Sequence, residues 1–364
     1  MIKEGKFGVH ETVCLIVIAL SSKVLFSYTS ILLGFAANSA WLMTLVSGVS
    51  AAVLFTFIYL LLKRFPGKNL MEIYDLSLGR IIGFIFSISL AIAILFCSGI
   101  LVREFTDIIK AYVFPYTPSS FISAALLLPV VVAAYLGLES IARFAKIAAW
   151  FTLIGFLLGV ALSSPYFQTA NIFPIMGYGL DVNIMQGFIR TCTYSEVIFI
   201  AIFAGALQGI KQIKKAGYIS LIISVLIISA GILISVLVMS YPLAQEQMSP
   251  LYAVTRQIAL GEFFQRMDPL FLFVWITATI VTVSIEFYCG ISVYCKAFRL
   301  QDRKPLIIPV AIIVYAVSFI PRDFTAVEDA LIFIRTYGIF VVFLMPFIAL
   351  VVSLLRRKKG ERAA

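Results

Sequence analysis

The chain has 364 residues, of which 62% are hydrophobic and 13% are charged, and it carries a net charge of +10. Soluble domains are roughly 45–50% apolar and about 25% charged, so this composition excludes a soluble protein. The positive charge lies in short loops between apolar runs, which indicates contact with an anionic membrane surface rather than with nucleic acid.

Ten apolar segments follow one another along the chain, and most reach the roughly 20 residues that a membrane-spanning helix needs. They lie at 10–34, 38–62, 79–113, 119–138, 141–164, 183–209, 214–241, 264–297, 305–320 and 327–355. The first lacks the basic flank and cleavage site of a signal peptide, so we expect it to remain as helix 1. The prediction is an all-α integral membrane protein with a single transmembrane domain over residues 1–364.

Most of the 28 lysines and arginines fall in alternate loops, together with the two ends of the chain. Loops rich in Lys and Arg stay on the cytoplasmic side of a membrane. We therefore expect both termini to be cytoplasmic.

The lengths of the segments suggest two repeats, because segments 3 and 8 are the longest and segments 4 and 9 are short. An odd number of helices per repeat inverts the second repeat, a common construction of secondary transporters. We predict a 5+5 inverted repeat with one half at about 10–164 and the other at about 183–355. In such folds helices 1 and 6 are typically broken around a site near the middle of the bilayer.

Segment 1 carries Ser21, Ser22 and Lys23 and then Tyr28 within an otherwise apolar run. A lysine at this depth costs a few kcal/mol unless it faces a partner or a cavity. We predict that these four residues contact a ligand. The alternative is that Lys23 extends its long stem to the outer interface.

Segment 6 reads Arg190-Thr191-Cys192-Thr193-Tyr194-Ser195-Glu196 between two apolar stretches. Hydroxyl groups can replace backbone hydrogen bonds where a helix unwinds, and freed amides suit a carboxylate. We predict a break here, with Thr191, Thr193, Tyr194 and Glu196 in the ligand site. The alternative is a continuous helix whose hydroxyls bond back to the preceding turn.

Three further charged residues need partners inside the membrane. Arg103 and Glu104 lie near Asp107 and Lys110 at helical spacing, which favours pairs within their own helix. Glu286 lies deep in segment 8, where it is either a proton-coupling group or a hydrogen-bonded structural residue.

The outer segment 241–268 alternates polar positions such as Arg256 and Glu262 with apolar ones such as Leu251, Val254, Ile258 and Leu260. This pattern predicts an amphipathic helix on the outer surface. It could serve as a gate, as a partner contact or as a cover.

No pattern in the chain indicates catalysis. It has a single histidine and lacks a glycine-rich phosphate loop, a nucleophile elbow and a cluster with metal-ligand spacing. We expect no enzyme activity, no cofactor and no metal site.

Short motifs spread along the chain carry a resemblance to a known family. They are Trp41-Leu42, Arg64-Phe65-Pro66-Gly67, Leu78-Gly79-Arg80 with Gly83, Arg103 with Phe105, Thr117-Pro118, Gly137-Leu138-Glu139 with Ala142-Arg143, Asn171-Ile172-Phe173-Pro174 with Gly177, and Arg266-Met267-Asp268-Pro269 with Trp275. In their order the chain resembles, almost end to end, the B-subunit (permease) family of spore germination receptors.

The resemblance implies a ten-helix fold of the amino acid, polyamine and organocation transporter superfamily in the inner membrane of a bacterial spore. It implies A- and C-subunit partners and a small nutrient germinant, often an amino acid, whose binding triggers germination. Membrane lipid is a further expected partner. The chain departs from the family in having Lys23 and no glycine before Gly34 in helix 1, which leaves room for an acidic, sugar or uncharged ligand. A stand-alone proton-coupled amino acid transporter and an ion or water conduit are the competing functions.

Overall fold

The computed structural model describes residues 7–207, 209–258 and 268–358. These residues form helices and connecting turns, with no strand among them, so the predicted all-α class is confirmed. Several residues named from the sequence lie outside the described ranges. They are Leu260, Glu262, Arg266 and Met267.

The helices, in chain order, are α1 Val9–Ser21, α2 Tyr28–Ala36, α3 Ala40–Arg64, α4 Leu70–Leu78, α5 Arg80–Tyr112, α6 Ser119–Leu136, α7 Leu138–Ser163, α8 Leu180–Ile189, α9 Phe199–Ile202, α10 Ile210–Val238, α11 Tyr241–Gln245, α12 Pro250–Gln257, α13 Asp268–Ala297, α14 Lys304–Val317, α15 Phe324–Ile339 and α16 Met345–Leu355. Segment 1 combines α1 and α2, and segment 6 combines α8 and α9. Segment 10 combines α15 and α16 through the π-helical turn Phe340–Leu344.

Seven stretches of the described chain are helices long and apolar enough to cross a membrane unaided. The other three predicted spans are segments 1 and 6, which are broken, and segment 9, which is the short helix Lys304–Val317. The ten predicted segments therefore all appear, with boundaries within four residues of the hydropathy limits, except that the last helix of segment 6 ends at Ile202 rather than at 209. The assignment of repeats to 10–164 and 183–355 stays a prediction.

One helix, α4, was missed from the sequence, which placed residues 70–78 in a loop. Asn69 begins it with a capping box: the Asn69 side chain accepts from the Glu72 backbone N–H at 3.1 Å, and the Glu72 carboxylate accepts from the Asn69 N–H at 3.3 Å. This reciprocal pair satisfies two amide groups that a helix start otherwise leaves unpaired. At nine residues, α4 is too short to register as a membrane span.

Basic residues gather at one end of the bundle, called here the basic end. The Arg64 side chain donates to the Lys358 carbonyl at 2.7 Å, Arg299 pairs with Asp75 at 3.1 Å, and Lys146 pairs with Glu11 at 2.9 Å. These contacts join the start of segment 1 and the ends of segments 2, 8 and 10 to neighbouring turns. The predicted clustering of charge on one side is thus a feature of the fold.

Close contact between α3 and α10 depends on small residues, as expected from glycines in membrane helices. A Cβ atom added at Gly48 would overlap the Val225 side chain. Overpacking of this kind costs about 1–3 kcal/mol.

Replacing Gly48 by alanine should therefore lower the melting temperature of the purified protein in detergent. Gly205→Ala is the matched control, because a Cβ at Gly205 meets nothing within 4 Å. Equal melting temperatures for the two variants would contradict this account of the α3–α10 contact.

Candidate ligand site at the two helix breaks

Segment 1 is interrupted between α1 and α2, as predicted. After Ser21 the chain forms a 3-10 turn over Ser22–Leu25, and Phe26 is extended with φ −109° and ψ −162°. Phe26 packs edge-on against Trp275 of α13, with ring centroids 5.4 Å apart. The break needs no glycine, because an extended residue with negative φ suits any side chain.

Segment 6 is interrupted at its predicted polar stretch. The helix α8 ends at Ile189, and a 3-10 stretch covers Thr191–Ile198 before α9 begins. Within it Tyr194 departs from helical geometry, with φ −100° and ψ 28°. The continuous-helix alternative is therefore wrong.

Lys23 joins the two breaks. Its ammonium group pairs with the Glu196 carboxylate at 2.5 Å and also donates to the Thr193 backbone carbonyl, which the break leaves accessible. Lys23 is 8% exposed and Glu196 3%. The lysine therefore does not extend to the interface. Its charge is neutralised inside the bundle, as a charge at this depth requires.

A second bond between the breaks involves Tyr28 and Thr193. The Tyr28 hydroxyl donates to Thr193 Oγ1 at 2.8 Å. The Arg335 guanidinium lies 4.5 Å from the centre of the Tyr28 ring, a cation–π arrangement. Arg335 is 7% exposed and belongs to the surroundings of the site, a position that the sequence did not predict. Its isolated position in α15 gave no pattern that could reveal this.

The prediction that Glu104 pairs within its own helix is wrong, although the prediction for its neighbour Arg103 is confirmed. Arg103 does pair with Asp107, one turn along α5, at 2.7 Å. Glu104 instead faces segment 1, where its Oε1 accepts from the Ser27 backbone N–H at 3.0 Å and from the Ser27 hydroxyl at 2.5 Å. Ser27 is the residue that precedes α2, so the carboxylate lies at a helix N-terminus, where negative charge is stabilised.

The remaining predicted site residues divide into two groups. Ser22 reaches Thr282 of α13, with the two hydroxyl oxygens 3.0 Å apart, and Tyr194 donates to the Thr44 carbonyl of α3 at 3.3 Å. Among the described contacts, Thr191 bonds only to the Phe188 carbonyl, three residues earlier at the end of α8, at 2.7 Å. Ser21 Oγ is buried without a described partner. Ser22 and Tyr194 thus connect the two breaks to α13 and α3. The Thr191 hydroxyl instead bonds back to the preceding turn and makes no hydrogen bond to segment 1 in the described part of the chain.

Thr282 was missed from the sequence, although it precedes Glu286 by four residues and so shares a helix face with it. Glu286 lines a cavity of about 50 Å³ together with Glu196, Ser195 and Cys97. It is 2% exposed, and its Oε2 has no hydrogen-bond partner among the described residues. Two acidic side chains therefore face one small space beside the break in segment 6.

The outer segment covers the site from the end opposite the basic end. The helix α12 buries Leu251, Tyr252 and Val254 and exposes Arg256, as an amphipathic helix should. At its start the Ser249 hydroxyl donates to the Leu25 carbonyl at 2.8 Å, at the end of the 3-10 turn in segment 1. The outer segment is thus attached directly to a break.

The family model described as "Spore germination protein" matches residues 7–327 of the chain. The chain belongs to the spore germination protein family. Its relatives include "Spore germination protein KB" of Bacillus subtilis, 22% identical with 96% of this chain and 95% of the relative covered, and "Spore germination protein YndE" of the same organism, 24% identical with 88% of each covered. "Spore germination protein GerLB" of Bacillus cereus is 21% identical, with 89% and 87% covered. The resemblance inferred from the motifs is confirmed.

Solved transporter structures share the fold of this spore germination protein. Mhp1, a nucleobase-cation-symport-1 family transporter in a closed conformation with bromovinylhydantoin bound, superposes with a TM-score of 0.69 at 14% identity, over 97% of this chain and 90% of Mhp1. MhsT in complex with L-phenylalanine gives 0.70 at 11% identity, over 98% and 91%. The transporter fold with helices 1 and 6 broken is confirmed.

Proposed function

We propose that this chain is the transmembrane subunit of a nutrient germinant receptor and binds a small germinant between the breaks in segments 1 and 6. The observation that carries the proposal is the pairing of Lys23 with Glu196 and the Thr193 carbonyl, which places ionisable and hydroxyl groups of both breaks together at the centre of the bundle. Family membership supports germination as the process. The proposed location is the inner spore membrane, with both termini cytoplasmic and with A and C subunits as partners.

The germinant would act by exchanging bonds between the breaks. Tyr28 and Thr193 are bonded only through their hydroxyls, so a ligand with hydrogen-bonding groups can replace that bond without stranding a charge. The 3-10 turn that precedes α2 is attached to Ser249 of the outer segment through the Leu25 carbonyl, and this attachment would pass the change outward. For a near-complete switch the ligand must favour one conformation by about 5.5 kcal/mol.

The proposal is tested in spores that carry the chain as their one intact receptor of this type. Germination is measured against each standard L-amino acid and D-glucose, and the most effective compound is then titrated. Thr193→Val should raise the half-maximal concentration about fivefold, the effect of one lost hydrogen bond. Thr191→Val is the matched control and should respond as wild type. Equal responses of the two variants, at equal protein levels, would refute the site.

A second function, proton-coupled transport of a small solute, is favoured by one observation. Glu196 and Glu286 line the same cavity of about 50 Å³, and this space is enough for a water molecule between two carboxyl groups. Purified protein in vesicles, tested with radiolabelled L-phenylalanine and L-alanine, should then accumulate solute when a pH gradient is imposed. Uptake abolished by Glu286→Gln would favour transport. Absence of uptake beside measurable binding would favour the receptor.

A further inference from the structure

A long apolar groove runs along the membrane-facing side of the bundle, between α1, α7 and α10. Its volume is about 550 Å³, and its outer end is closed by α12 and α13. Along the most apolar stretch of the span Leu138–Tyr166, which contains α7, only 17% of the residues are buried. The groove is separate from the small cavity beside Glu286.

The groove has one charged end. Along α10 it is lined by Lys215, Ile219, Ile223 and Ile227, which are spaced by four residues and so share one helix face. From Lys215 to Ile227 this face extends about 18 Å. That length is close to one leaflet of a hydrocarbon core about 30 Å thick. A basic group followed by one leaflet's depth of apolar surface matches the shape of a membrane lipid.

Lys215 differs from the lysines around it. Lys146, across the groove, pairs with Glu11 at 2.9 Å, and Lys214 lies 5.9 Å from the centre of the Tyr59 ring on another face of α10. Lys215 is exposed and pairs with no acidic side chain among the described residues. Its ammonium group is therefore available to an anion at the mouth of the groove.

We propose that this groove binds an anionic phospholipid, with the phosphate at Lys215 and one acyl chain along Ile219, Ile223 and the facing Val13 and Val17 of α1. A cation at one end of an apolar surface of one leaflet's length favours this occupant. The inner wall of the groove includes Ser21, so the bound chain borders the break in segment 1.

Native mass spectrometry of the full-length protein tests the proposal, with phosphatidylglycerol and phosphatidylcholine as the lipid probes. Wild type should retain one phosphatidylglycerol more tightly than phosphatidylcholine. Lys215→Ala should weaken phosphatidylglycerol binding about fivefold, the effect of one lysine at an anionic surface. Lys214→Ala removes the same charge from the same turn but does not line the groove, and it should bind as wild type.

A second variant tests the proposal by filling the groove. Val17→Phe places a ring in the path of the acyl chain and should reduce retention of both lipids, while gel filtration verifies that the protein remains folded and monodisperse. Equal retention by wild type, Lys215→Ala and Val17→Phe would overturn the proposal, because the lipid would then be general boundary lipid. A dimer without retained lipid would overturn it as well, in favour of a protein contact.

Discussion

Replacing Glu196 by glutamine is expected to cost about 3–5 kcal/mol of stability, because it leaves the Lys23 ammonium buried without its counter-charge. The Thr193 carbonyl would remain as its acceptor, and a neutral carbonyl cannot neutralise it. The measurement is thermal unfolding of the purified protein in detergent. A large loss identifies the ion pair as the main connection between the two broken helices.

Two control variants separate the loss of a buried ion pair from the loss of any ion pair. Glu139→Gln breaks the Arg143–Glu139 pair of the same 2.5 Å separation, but Arg143 and Glu139 side chains there are 73% and 37% exposed. Exposed pairs contribute about 0–1 kcal/mol, so Glu139→Gln should unfold near the wild-type temperature. The double variant Lys23→Met/Glu196→Gln removes both charges and should recover much of the loss. If Glu196→Gln and Glu139→Gln unfold alike, Lys23 is not held as described.

Replacing Glu104 by alanine is the second large effect expected. The change leaves the Ser27 N–H and hydroxyl without their acceptor. Hydrogen bonds to charged groups are worth about 1.5–3 kcal/mol each, so the start of α2 should open more often. Hydrogen exchange should therefore be faster at the amides of residues 27–30.

Asp107→Asn is the matched control for this prediction. It removes a carboxylate from the same helix, three residues further on, and breaks the pair with Arg103 at 2.7 Å. Because that pair lies within α5 and does not touch segment 1, exchange at 27–30 should not change. Glu104→Gln keeps one acceptor oxygen and should lie between alanine and wild type. Slow exchange in the alanine variant would show that Glu104 does not hold α2.

The positions of the breaks could be predicted because they depend on local chemistry. Polar residues inside an apolar run need partners within the protein, because the surrounding lipid offers none. The stretches at Lys23 and at Thr193 both unwind. Helix α4 also left a local signal, the Asn69 and Glu72 capping box, which hydropathy alone does not register. These features belong to neighbouring residues in the chain.

The partners across the site could not be predicted, because they depend on how each helix is rotated by packing. Glu104 had near neighbours of opposite charge in its own helix, yet it faces Ser27, 77 residues away in sequence. Arg335 contacts the Tyr28 ring from within segment 10, where no sequence pattern indicated a place in the site. Thr191 and Thr193 are two residues apart with the same side chain, and only the unwound backbone decides which of them faces segment 1.

The central claim, that both breaks together bind the germinant, is tested most directly by its affinity for the purified chain. Titration calorimetry would use the compound that is most effective on spores, with wild type, Tyr28→Phe, Thr193→Val and the double variant. We predict that each single change weakens binding about fivefold and that the two effects add in the double variant, since a ligand that replaces the Tyr28–Thr193 bond contacts each hydroxyl separately. Equal affinity in all four proteins would contradict the account.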